Sequence, residues 1–86
     1  MRLNDFNNLD TIQKADLIWE WGFFITKYKY KDYTIVVFLM DDFFAEVYLN
    51  IFSNEVENVT GLTKEELEKK DYLLVKKDFK KLSEGF

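Results

Sequence analysis

Five acidic side chains and no basic one lie between residues 41 and 60, namely Asp41, Asp42, Glu46, Glu55 and Glu57. Closely spaced carboxylates can bind a hard cation or exchange protons with a substrate. A calcium loop, however, needs a compact ligand set around a glycine turn, and this segment has neither. We therefore expect no metal site here and interpret the Asp41-Asp42 pair as a solvated turn. An acidic edge of Asp41, Asp42, Glu55 and Glu57 remains, which could instead contact a basic protein.

Other catalytic chemistry has few residues to use. The chain contains no histidine and no cysteine, so the commonest general base and the thiol nucleophile are missing. The only serine hydroxyls are those of Ser53 and Ser83, and no phosphate loop or dinucleotide-binding fingerprint is present. The composition predicts a protein that is not an enzyme and that uses no cofactor.

Residues 27–31 read Lys-Tyr-Lys-Tyr-Lys, and lysines interleaved with aromatic residues can bind single-stranded nucleic acid. In a β-strand, however, alternate side chains point to opposite faces. The tyrosines then lie on one face and the lysines on the other, so one patch cannot stack a base and also hold its phosphate. We interpret the lysines as protection of an edge strand. The net charge of −4 also argues against nucleic-acid binding.

Length and hydropathy limit the architecture. Eighty-six residues correspond to one domain with a small core. The longest uncharged run, residues 33–40, is far shorter than the roughly 20 residues of a membrane-spanning helix. The N-terminal segment lacks the apolar stretch of a signal peptide. We therefore expect a cytoplasmic protein without a membrane span.

The first predicted element is a helix over about residues 10–21. Asp10 and Gln13 have the spacing of a capping-box variant, and Gly22 stands where a left-handed residue would end the helix. The helical period places four residues on one predicted buried arc: Ile12, Ala15, Ile18 and Trp19.

Four strands are predicted next, at about residues 23–30, 33–40, 43–52 and 55–59. Lys31-Asp32, Asp41-Asp42 and Ser53-Asn54 supply turns between them. Thr63 and Glu66 then form a capping box, which predicts a helix over about residues 63–73. That helix either extends or is followed by a second short helix, as far as about residue 82. This order predicts the α+β class, with an antiparallel β-meander between helices.

The segment 23–52 holds ten of the sixteen aromatic residues, which is too many for a sheet covered on one face. A two-residue turn at Asp41-Asp42 pairs Met40 with Phe43, and a one-residue slip is the alternative. Both registers leave apolar side chains on both faces. Either the terminal helices cover opposite faces, or they share one and leave an aromatic surface for a partner. For the second case the predicted contact residues are Tyr33, Phe44, Tyr48 and Phe52, with Glu46 at the rim.

Several segments together carry a resemblance. They are residues 14–16 (Lys-Ala-Asp), residues 19–22 (Trp-Glu-Trp-Gly), the tyrosine-rich first hairpin, residues 43–48 and the turn at Asn54. Over about residues 9–60 the chain resembles a group of short bacterial proteins with a helix followed by an aromatic β-meander. It departs from them at Asp41-Asp42, where the group has a pair of the Asn-Gly type. No activity is established for that group, so the resemblance implies a fold and assigns no site residues.

Three functions fit these patterns. The first is binding to a protein partner, or to a second copy of the chain, through an aromatic sheet face. The second is inhibition of a basic, nucleic-acid-binding protein by the acidic edge. The third is an apolar small-ligand site between sheet and helix.

Overall fold

The computed structural model describes residues 1–70. Its elements are α1 (Leu3–Asn7), α2 (Thr11–Trp21), β1 (Phe23–Tyr30), β2 (Tyr33–Leu39), β3 (Phe44–Asn50), β4 (Val56–Leu62) and α3 (Lys64–Glu68). The strands form one antiparallel sheet in the order β1-β2-β3-β4. The predicted α+β class with an antiparallel meander is confirmed.

The β2–β3 hairpin adopts the first of the two predicted registers. Val36 pairs with Val47, and the amide of Met40 donates a hydrogen bond of 2.8 Å to the carbonyl of Phe43. Asp41-Asp42 is therefore a two-residue connection. Because directly opposite residues share a face, this register brings together one row of apolar side chains: Tyr33, Ile35, Val37, Leu39, Phe44 and Tyr48.

Each face of the sheet has its own apolar cluster. We call the side against α1 and α2 the first face; its buried residues are Phe6, Ile18, Phe43, Ala45, Val47 and Val59. The opposite side is the second face; its buried residues are Ile25, Tyr28, Ile35, Val37, Phe44, Leu62 and Leu67. Leu67 belongs to α3, so α3 lies on the face opposite α1 and α2. The helices thus follow the first of the two predicted arrangements.

Helix α1 was not predicted, and its packing depends on one glycine. Phe6 is fully buried, and its ring lies 5.2 Å from that of Phe43. The side chain of Asn7 accepts a 2.8 Å bond from the amide of Gly61 and donates a 3.1 Å bond to its carbonyl. A Cβ at position 61 would lie 2.6 Å from Leu3 and 2.9 Å from Asn7. Glycine is needed there because α1 approaches the backbone of β4 so closely.

Helix α2 begins as predicted but ends differently. Asp10 accepts a 2.8 Å bond from the amide of Gln13, whose side chain accepts one from the amide of Asp10. Gly22, however, has φ −75° and not the left-handed value predicted for it. The chain passes directly into β1 in an extended conformation. A Cβ at position 22 would lie 2.5 Å from the carbonyl oxygen of Ile18. Glycine is therefore needed here because there is no room for a side chain, and not because of its backbone conformation.

The predicted buried arc of α2 is wrong about two of its residues. Ile18 is buried, whereas Ile12 and Trp19 are exposed. The half-buried side chains next to Ile18 are instead Leu17 and Lys14. The amine of Lys14 donates a 3.0 Å bond to the carbonyl of Val59, so its aliphatic stem lies against the protein. This contact rotates the helix and carries the Ile12–Trp19 stripe out to solvent.

A bulge changes the alternation predicted for β1. Phe24 pairs with Phe38 and Thr26 with Val37, so Ile25 is the extra residue between them. Ile25 consequently joins Tyr28 on the second face, although strict alternation placed these two residues on opposite sides. A β-bulge of this kind re-aims side chains locally.

The remaining bounds differ from prediction at the strand ends. The second strand ends at residue 39 and not 40, the third spans 44–50 and not 43–52, and the fourth spans 56–62 and not 55–59. Thr63 and Glu66 form the predicted capping box, with bonds of 3.1 and 3.0 Å. Helix α3 then ends at Glu68, before the predicted residue 73. The predicted extension to about residue 82 lies outside the described residues.

Candidate functional site

The predicted contact residues are mostly inside the protein. Phe44 and Glu46 are buried, and Tyr33 and Tyr48 are half-buried with their rings 5.7 Å apart. These four residues lie together on the second face. Phe52 does not join them, because it follows the end of β3 and is 80% exposed. The second face around Glu46 is therefore a core, and not an open aromatic surface.

Glu46, predicted as a rim contact, has no solvent exposure and is the centre of a polar network. Its carboxylate accepts bonds from the hydroxyl of Tyr28 at 2.9 Å and of Tyr48 at 3.5 Å. The amine of Lys70 donates to the same carboxylate at 2.8 Å. A buried carboxylate needs such donors, because its desolvation is otherwise very costly. Both carboxylate oxygens are occupied, which suits a structural ion pair better than a reacting group.

The contact with Glu46 changes the pKa of Lys70. Burial alone would lower the pKa of Lys70, but the hydrogen bond and charge of Glu46, together with Tyr48, raise the pKa above its ordinary value. An opposite charge in contact favours the ionised form of Lys70. The pair therefore holds Lys70, two residues after the end of α3, against the second face as a charged contact.

The acidic edge is divided between the two ends of the sheet. Asp41 and Asp42 lie exposed in the β2–β3 connection, whereas Glu55 and Glu57 lie exposed at the opposite end of β3. The seven residues of β3 separate the two pairs by roughly 20 Å. Residues 1–70 contain no group of three or more acidic side chains that could hold a metal ion. The structure does not bring these four carboxylates together into one site.

Within residues 1–70, helices cover only half of the width of the first face. Helices α1 and α2 make their main sheet contacts with β4, and Ile18 packs in the cluster formed with β3. On the β1–β2 side, Val36 and Phe38 stay half-buried, and Phe24 is 52% exposed. The face therefore forms a step, with α2 as the ridge and the β1–β2 surface as the lower level.

An apolar groove follows the foot of this step. Its volume is about 390 Å³, and it is lined by Ala15, Ile18, Trp19, Gly22, Phe24, Val36, Phe38, Val47 and Leu49. Trp19 is 91% exposed on one wall, and Ile12, two helical turns earlier on the same stripe, is 75% exposed. We call this the α2 groove. Two of its lining residues, Trp19 and Phe24, are exposed aromatic residues.

Opposite charges border the α2 groove. Lys27 pairs with Val36, and Lys29 pairs with Thr34, so both lysines rise from the first face on the outer strand; we call them the basic rim. Asp16 lies one turn from Trp19 on the outer surface of α2, and Glu20 lies one turn beyond Asp16; we call Asp16 and Glu20 the acidic rim. All four side chains are exposed.

A second apolar cleft lies on the other side of α2. Its volume is about 510 Å³, and it is lined by Met1, Leu17, Trp21, Met40, Asp41 and Phe43. Trp21 is exposed at its mouth. The third predicted function needs an apolar cavity beside a helix, and this cleft has that character.

Sequence reasoning found neither cleft, because it placed Trp19 in the core. One signal was available: Asp16 lies one turn from Trp19 on the helix surface, so the stripe has a charged neighbour on its outer side. The lysines of the basic rim were assigned correctly to the face opposite Tyr28, which is buried on the second face.

Comparison of the chain with protein-family models, curated proteins and solved structures found no match. Within residues 1–70, none of the helices has the length and apolar character that crossing a bilayer requires.

Proposed function

We propose that this chain is a protein-interaction module, not an enzyme, and that its binding surface is the α2 groove. The observation that carries the proposal is Trp19, which is 91% exposed beside an apolar groove. An exposed tryptophan contributes little hydrophobic stabilisation to the free protein. A partner that covers Trp19 removes its apolar surface from water and so gains that stabilisation. Tryptophan is also among the residues that contribute most to interfaces.

The size of the surface supports this assignment. Trp19, Phe24 and Ile12 together expose roughly 400 Å² when a large side chain is taken as about 200 Å². Patches of this size are the largest that monomers usually carry, and they often mark binding sites. The half-buried floor residues and the aliphatic stems of the rim lysines enlarge the area that a partner covers.

Site-specific photo-crosslinking tests the proposal. A benzophenone amino acid replaces Trp19 in the chain expressed in bacterial cells, and the adducts formed on irradiation are identified by mass spectrometry. The matched control carries the same replacement at Phe52, which is 80% exposed and does not line the groove. We expect a discrete protein adduct from position 19 only. Absence of any adduct at position 19, or equal adducts at both positions, would contradict the proposal.

The proposed compartment is the cytoplasm, which cell fractionation tests.

A small apolar ligand is the second candidate function, and the cleft beside Trp21 favours it. The cleft volume of about 510 Å³ lies within the usual range for ligand sites. In a Trp19→Phe variant, Trp21 is the one remaining tryptophan, so its emission reports directly on the cleft. A saturable blue shift with one equivalent of a fatty acid supports this function. A linear response without saturation would rule out the small-ligand function.

A further inference from the structure

The shape of the first face restricts what can fill the α2 groove. Helix α2 stands as a ridge beside the uncovered β1–β2 surface, where Phe24, Val36 and Phe38 form the floor. A two-fold rotation can place the ridge of one copy on the lower level of another, and the reverse contact then forms at the same time. Such self-complementarity is the requirement for a symmetric dimer interface.

The charges have the same symmetry. Asp16 and Glu20 are four residues apart on a helix, which separates them by about 6 Å along its axis. Lys27 and Lys29 are two residues apart on a strand, which separates them by about 7 Å. The two rims therefore have matching spacing and opposite sign. None of the four side chains has an ion-pair partner within residues 1–70.

The available area is sufficient for two copies. The roughly 400 Å² of exposed apolar side chain on each copy, with the floor residues and lysine stems added, gives an interface of about 1,200 Å² in total. That value lies at the lower end of specific protein–protein interfaces. It corresponds to a reversible dimer and not to an obligate one.

We propose that the α2 groove is occupied by α2 of a second copy of this chain. In this two-fold dimer, Trp19 of each copy covers the β1–β2 floor of the other, and each acidic rim meets a basic rim. The inference rests on the proposed function, because it names the partner that the same surface binds. It commits to one occupant, whereas the proposed function holds for any protein partner.

Sedimentation equilibrium from micromolar to near-millimolar concentration gives the first test. The apparent mass should rise with concentration from 10.4 kDa to twice that value. Trp19→Glu should weaken self-association at least tenfold, because it places a charge at the centre of the interface. Phe52→Glu, the matched control outside the groove, should leave the dissociation constant unchanged. A dimer that is sensitive to Phe52→Glu but not to Trp19→Glu would overturn the inference.

Charge reversal gives the sharper test, because folding failure cannot imitate its result. One variant carries Lys27→Glu and Lys29→Glu, and the other carries Asp16→Lys and Glu20→Lys. Each alone brings like charges together at both rim contacts and should weaken self-association at least tenfold. An equimolar mixture places opposite charges at both contacts again, so a heterodimer should recover the wild-type affinity. A mixture that stays monomeric overturns the proposal.

The outcomes for the two proposals are distinct. A wild-type chain that remains monomeric at all concentrations, yet crosslinks another protein from position 19, overturns the dimer and leaves the interaction module intact. A monomeric chain with no adduct at position 19 overturns both. A dimer abolished by Trp19→Glu, with a self-adduct at position 19, supports both. Salt titration is less decisive, since the net charge of −4 on each copy makes salt screen repulsion as well as attraction.

Discussion

Replacing Lys70 by methionine tests whether the buried network around Glu46 determines stability. The change keeps the length of the side chain and removes the amine that lies 2.8 Å from the carboxylate. Removing one partner of a buried ion pair costs about 3–5 kcal/mol. The side chain of Lys70 is 28% exposed, so water can reach the vacated position. Tyr28 also keeps its 2.9 Å bond to the carboxylate. We therefore expect a loss of about 2–3 kcal/mol in the free energy of unfolding.

Urea unfolding monitored by circular dichroism measures this loss. In thermal unfolding of the same variant, the Tm of a chain of this size should fall by roughly 10–20 °C. Lys69→Met is the matched control: it removes the same charge from the adjacent exposed lysine, and it should change stability by less than about 0.5 kcal/mol.

A double-mutant cycle then isolates the pair. Glu46→Gln removes the charge of the carboxyl group and keeps its shape. The combined variant, with Lys70→Met, should be about 1.5 kcal/mol more stable than the sum of the single effects, because neither charge is left without a partner. A coupling energy below about 0.5 kcal/mol, or equal losses from Lys69→Met and Lys70→Met, would refute the reasoning.

Three further predictions follow from the contacts of single residues. Ile18→Ala should cost about 2–4 kcal/mol and Ile12→Ala less than about 0.5 kcal/mol in urea unfolding, because only Ile18 is buried; equal losses would contradict the observed rotation of α2. The pKa of Lys70 is raised in the folded state above its ordinary value of 10.5, so its stabilisation is complete below that pH and is lost as pH rises through the folded-state pKa. The difference in stability between wild type and Lys70→Met should therefore shrink in alkaline titration, and a constant difference would count against it. Gly61→Ala should cost about 1–3 kcal/mol in thermal unfolding, because its Cβ meets the side chain of Asn7; an unchanged Tm would show that α1 moves away freely.

The parts of the fold that sequence predicted are those with local causes. The Asp10 and Thr63 capping boxes involve residues three positions apart, and each specifies a helix start without help from the rest of the chain. The β2–β3 register follows from a two-residue turn at Asp41-Asp42 and from the period of two in β3. The face assignments of β3 agree with the prediction for the same reason.

The parts that sequence did not predict depend on distant partners. Lys14 binds the carbonyl of Val59, 45 positions away, and Lys70 binds Glu46, 24 positions away. A prediction from helical periodicity assigns every lysine to the solvent side. It therefore misses the buried stem of Lys14 and assigns the wrong side of α2 to the core. Likewise, a lone carboxylate in a strand is expected outside until its donors are known.

The two errors have one consequence for the candidate site. The sequence pattern placed Glu46 at the rim of an open surface and Trp19 in the core, whereas the structure has Glu46 buried and Trp19 exposed. Because Trp19 is exposed and Glu46 is buried, the candidate interface lies on the first face and not on the second. An exposed aromatic surface is present, but Trp19 and Phe24 carry it on the other side of the sheet.

The open half of the first face follows from the dimensions of the elements. A helix with side chains is about 10 Å wide, and neighbouring strands are about 4.8 Å apart, so one helix covers about two strands. Helices α1 and α2 both lie toward β4, held there by Asn7 on Gly61 and by Lys14 on Val59. Neither can reach β1 without breaking these bonds. Among residues 1–70, therefore, no element covers the floor beside Phe24, and the α2 ridge of a second copy, which carries Trp19, has the complementary shape and charge.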